Sequence, residues 1–165
     1  MTEPRHEIVR LAQLLTLVAK EDKQLLAVRE RLAPKGTVLD LPWLEATFAD
    51  DMRADRLESF SSKFSRMQDT VIDKLLPHLL TTAGEIAMAA IDNLNRAERL
   101  RFIESSDTWI EMRRLRNRLV HEYIDNLSEM LPALRKAYDF TDELHHTYQV
   151  IMQYAQDKFG VDLPK

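Results

Sequence analysis

Apolar residues recur every three or four positions along most of the chain, the period of a helix packed on one side. Over residues 5–33 the stripe is Ile8, Leu11, Leu15, Val18, Leu25 and Leu32, with two shifts of phase. It predicts one long helix, or two joined near Glu21–Lys23, ending at the breakers Pro34-Lys35-Gly36. Residues 37–42 read as a link. A short helix at 43–51 should run into a longer one at 52–76, where Leu57, Phe60, Phe64, Met67, Val71 and Leu75 share a face and Pro77 marks the end. After a turn at 81–84, residues 85–100 read as a helix with Ile86, Met88, Ala90, Ile91 and Leu94 as its apolar positions. Ser105 or Ser106 can cap a helix over about 107–123. A last helix should reach about Phe159, with Pro132 in its first turn or at a kink. No alternating strand pattern and no repeat is present. The expectation is an all-α antiparallel bundle of four to five helices in one domain, 1–165. Residues 1–42 would supply an N-terminal helix and link, and 43–160 the core bundle.

The helix at 107–123 breaks its own pattern. Trp109, Met112, Leu115, Leu119, Val120 and Tyr123 gather on the core side, and Arg116 lies among them. A guanidinium stays charged, so burial without a partner costs several kcal/mol or more. Arg116 therefore requires a carboxylate, an opening to water, or an anion. Asp69 and Asp73 on the 52–76 helix are available carboxylates. On that reading His121 is a helix-end histidine favoured by the dipole, and Tyr123 a core aromatic with its hydroxyl bonded.

Composition narrows the choices. The chain has 165 residues, 45% hydrophobic and 30% charged, enough for a real core. It lacks cysteine, which excludes disulfides and thiolate metal sites. Five histidines (6, 78, 121, 145, 146) form no metal-ligand spacing, and adjacent His145 and His146 point about 100° apart, so no metal is expected. Three scattered glycines build no phosphate loop, and no other cofactor is implied. Neither a signal segment nor a membrane-length apolar run is seen, so the expected place is the cytoplasm, with no membrane partner. A net charge of −4 argues against a general nucleic-acid coat. Residues 111–121, however, hold Arg113, Arg114, Arg116 and Arg118 against Glu111. Arg114 and Arg118 suit a solvated face. A basic spot on an acidic protein suits a discrete anionic ligand.

Arg116 and His121 are the groups that metal-free phosphodiester cleavage needs. An imidazole moves protons near neutrality, and a guanidinium stabilises the charge of a phosphorane. Asn117, four residues before His121, shares its face and could orient the ring or donate to a phosphate oxygen. Arg116 and His121 lie about 140° apart on an ideal helix. Two copies across a dyad would converge on one phosphate better than one copy, which points to a homodimer with the site at its interface.

The stretch Arg116-Asn117-Arg118-Leu119-Val120-His121-Glu122-Tyr123 resembles the R-x₄-H-x-Y motif of the HEPN superfamily, in particular its HepT-like toxins. Residues 64–70 with 74–77, then 94–98, Trp109 and Arg113, resemble the segments flanking that motif, so the likeness spans roughly 55–150. It implies an all-α homodimer that cleaves RNA without metal, by attack of the substrate's own 2′-hydroxyl, with Arg116 and His121 of both protomers lining one cleft. It also implies a nucleotidyltransferase antitoxin as partner, able to transfer AMP to Tyr123. The alternative within the same family is a non-catalytic module that binds a nucleotide or the nucleotidyltransferase.

Overall fold

The computed structural model describes residues 4–121 and 126–162, without the side chains of Pro4, Arg5, Val120 and His121. All regular structure among the described residues is helical. Helix α1 spans Pro4–Leu32 without a joint at Glu21–Lys23. Helix α2, Leu41–Phe48, starts at Asp40, whose carboxylate accepts the Trp43 amide at 2.9 Å. Helix α3, Asp51–Thr70, passes through a π-helical turn, Val71–Leu75, directly into α4, Leu76–Thr82. Helix α5 is Ala90–Arg99, α6 is Ser106–His121, and α7 is Leu127–Phe159.

Three boundaries differ from the sequence expectation, the first being α2, which starts at Leu41 inside the expected link and stops at Phe48. Pro77 does not end its helix. Its ring would clash with the Asp73 carbonyl in an α-helix and it has no amide to donate. The helix widens just before it, the Leu76 amide reaching back to Val71, and continues to Thr82. The helix expected at 85–100 begins only at Ala90. Gly84, at φ +85, closes α4 and turns the chain away. Asn93, almost fully buried, then clamps Met88 at both its amide (2.7 Å) and its carbonyl (2.9 Å). That clamp keeps 85–89 out of the helix and leaves Ile86 and Met88 on the surface instead of in the core.

The long elements run antiparallel, as the side-chain ties show. Asp22 meets His145, Arg29 meets Asp142, and Tyr138 donates to the Ala33 carbonyl at 2.8 Å, which aligns α1 against α7. The Glu21–Thr70 and Glu7–His78 contacts align α1 against the α3–α4 rod. Between them lies one core, built on Leu11, Leu15 and Val18 of α1, Phe60, Phe64 and Met67 of α3, Trp109 of α6, and Phe140 and Leu144 of α7. Phe140 stands edge-on to both Phe64 (6.3 Å between centroids) and Trp109 (5.0 Å), so α7 joins α3 to α6. Each such side chain, once buried, stabilises by about 1.5–3 kcal/mol. Pro132 lies inside α7, whose first turn is capped by Asn126 through the Glu129 amide.

Candidate functional site

Trp109, Met112, Leu115 and Leu119 put one face of α6 into the core, as the spacing demands. Arg116 sits at the rim of that face, its side chain 19% exposed. Its Nη1 lies 2.8 Å and 2.9 Å from the two oxygens of Asp69, one helix away on α3. Three residues earlier, Arg113 pairs with Asp73 at 2.8 Å. The Asp-x₃-Asp of the α3 rod and the Arg-x₂-Arg of α6 thus cross-link two antiparallel helices. The buried cation has its carboxylate within the same chain.

The pairing leaves polar atoms over. Arg116 Nε, Ser65 Oγ and both amide atoms of Gln68 are buried without a hydrogen-bond partner. Gln68 has no exposed surface. Burial holds the Asp69 carboxyl above its ordinary range, the desolvation outweighing the pull of Arg116. Ser65, Gln68, Asp69 and Arg116 therefore form a patch with more hydrogen-bonding capacity than the chain uses.

Asn117, Arg114 and Arg118 are exposed on the outer faces of α6, the arginines as the sequence expectation had them. Arg114 and Arg118 line a groove of about 520 Å³ with Ile91, Ile110 and Lys136. His121 closes the described part of α6, but its side chain lies outside the described residues, and so does Tyr123. Arg116 and Asn117 are thus the two expected site residues whose side chains are described. Sequence reasoning missed Gln68 and Ser65. A glutamine at a core phase of α3, between Phe64 and Val71, was the available signal.

A second polar constellation lies between α1 and α7. His145 Nδ1 donates to both oxygens of Asp22, at 2.8 and 3.0 Å, which fixes the ring. Asp22 is buried, and desolvation raises its pKa against the lowering effect of His145. Its neighbour Glu21 is buried too and accepts from Thr70 at 3.0 Å, with burial again raising its pKa. Among the described residues, no three histidine or acidic side chains stand together as a metal site. No helix among them is long and apolar enough to cross a membrane.

The chain matches no protein-family model, no curated protein and no solved structure.

Proposed function

We propose that the protein is a metal-independent endoribonuclease, the toxin of a HepT-like toxin–antitoxin pair. His121 takes the proton of a ribose 2′-hydroxyl, the freed oxygen attacks the adjacent phosphorus, and the 5′-oxygen leaves with a proton. The products are a 2′,3′-cyclic phosphate and a 5′-hydroxyl. Arg116 bears the negative charge that gathers on the phosphorane. Asn117 orients the His121 ring, and a homodimer brings two such helices to one cleft. A nucleotidyltransferase antitoxin silences the enzyme by placing AMP on Tyr123, whose added bulk and charge repel an anionic substrate.

The observation that carries this reading is Arg116 itself. It stands five residues before His121 on α6, in a stretch that resembles the family motif, with Nη1 held by Asp69 and the side chain 19% exposed at the protein's rim. An arginine anchored at one end is preorganised for an anion at the other.

A second reading has an observation of its own. The Arg116–Asp69 and Arg113–Asp73 pairs already neutralise both arginines within one chain, as a purely structural seam would. On that reading the protein is a non-catalytic helical module that binds a nucleotide or its nucleotidyltransferase partner.

Cleavage of RNA in the presence of a chelator separates the two. His121→Ala should lower the rate about 10²–10⁴-fold with helicity intact. No cleavage by the wild-type chain freed of its antitoxin would assign the protein to the second reading, and cleavage unchanged in His121→Ala would assign the activity to other groups or to a contaminant.

A further inference from the structure

The α3–α4 rod carries a groove on its outer surface in two parts that meet at Lys74. One part, about 410 Å³, is lined by Ser62, Ser65, Arg66, Asp69 and Lys74. The other, about 300 Å³, is lined by Arg10, Lys74, His78 and Thr81. Arg10, Arg66 and Lys74 are exposed. The acids along this strip are largely spent. Asp69 and Asp73 hold Arg116 and Arg113, and Glu21 beneath, bonded by Thr70, is the one acid set against Arg66 and Lys74 together. A chain of net charge −4 thus keeps a cationic strip beside Arg116.

From Ser62 to Thr81 the rod extends about 28 Å at the helical rise, room for several nucleotides of an extended strand. His78 is tied by Nε2 to the Glu7 carbonyl at 2.7 Å, which holds α4 on α1 and keeps the two groove walls together. Asp69, its side chain 42% exposed, lies in the wall nearest Arg116. A carboxylate oxygen suits a hydroxyl donor and repels another carboxylate, which favours a ribose over an acidic peptide.

We infer that this groove is the track of single-stranded RNA, with Arg66, Lys74 and Arg10 taking its phosphates and Asp69 accepting a ribose 2′-hydroxyl. The choice of RNA rests on the ribonuclease reading above; the groove and its charge do not. The track leads the strand along α3 to Arg116, so the RNA beyond the scissile bond is held by α4 and α1.

Binding and cleavage test the two ideas apart. Binding of a fluorescent 12-nucleotide RNA is measured by anisotropy on the full chain carrying His121→Ala, across a salt series. Lys74→Glu and Arg10→Glu should each weaken binding about tenfold and lower the salt slope by roughly 0.7 per lost contact. Lys158→Glu, at the far end of α7, should stay within about twofold of the parent. The deoxy strand of the same sequence should bind more weakly. Unchanged affinity in both groove variants would overturn the track, even if the wild-type chain cleaves RNA. Competition by polyglutamate as strong as by RNA would also overturn it, in favour of an acidic protein. RNA binding that depends on Lys74 and Arg10 in a chain without cleavage would keep the track and sink the ribonuclease.

Discussion

Two polar seams cross this bundle, and they are finished differently. Between α1 and α7, Asp22 holds His145 with both oxygens, Arg29 holds Asp142 and the Tyr138 carbonyl, and the Tyr138 hydroxyl closes on Ala33. Nearly every group there has its partner; the exception is Glu21 Oε1. Between α3 and α6, the Asp69–Arg116 and Asp73–Arg113 pairs leave Arg116 Nε, Ser65 Oγ and Gln68 unspent. Both seams hold helices together. An unpaired buried polar group costs about 1–3 kcal/mol, so a cluster of them marks where the fold carries a cost that another molecule, water included, can relieve. The closed seam reads as structure, and the open one is where the proposed site lies.

The sharpest way to break this contrast is activity. Arg116→Ala should lower RNA cleavage about 10²–10³-fold, whereas Asp22→Ala should leave the rate per folded molecule unchanged. Equal losses in both would mean that the seams do not differ in function. Because Arg116→Ala strands Asp69, the pair Arg116→Ala/Asp69→Asn should restore the melting temperature without restoring cleavage.

Stability should show the reverse order. Asp22→Ala should cost about 1–3 kcal/mol in urea unfolding, since it leaves His145 without its acceptor. A loss under about 0.5 kcal/mol would show the Asp22–His145 contact to be incidental. Smaller still are the couplings across the open seam. Double-mutant cycles should give Arg116/Asp69 about 1 kcal/mol and the more exposed Arg113/Asp73 roughly 0.5 kcal/mol or less. The opposite ranking would make Arg113 the buried anchor.

The smallest effect comes from Glu21. Burial raises its pKa in the folded chain above the ordinary 4.5, so in the interval above 4.5 the folded state binds more protons than the unfolded state. Stability contributed there falls as pH rises through that interval. Glu21→Gln does not titrate, so it should flatten this fall and raise the neutral-pH melting temperature by about 2 °C. A steeper fall in the variant would contradict the direction of the shift.

The sequence announced some of this and hid the rest for definite reasons. The α1 stripe and the stop at Pro34–Gly36 sufficed for that helix, because propensity and packing agree there. Residues 85–89 misled. Ile86, Ala90 and Leu94 keep a helical spacing, yet a single side chain, Asn93, captures Met88 and outcompetes the helix. No local pattern encodes that contact. At the site, the clash between Arg116 and its apolar neighbours was visible as a charge out of place, and Asp69 and Asp73 were its natural partners. Gln68 escaped notice because its neighbours carry the apolar stripe so well that one polar position does not disturb the period.

The π-helical turn at Val71–Leu75 makes the molecule sensitive to arithmetic. Residues act on a helix through their angular phase, and one residue is worth about 100°. Deleting one residue from this turn would restore an ordinary helix. Four residues of that helix sweep about the angle that five sweep in the wide turn, so Leu76, Leu79 and Leu80 would keep their place on the core, but Pro77 would meet the carbonyl four residues before it. The extra residue of this turn thus seats a proline inside a continuous rod: a deletion should be tolerated only with Pro77→Ala beside it, while Ile72→Ala or Leu75→Ala should cost about 2–5 kcal/mol in either setting.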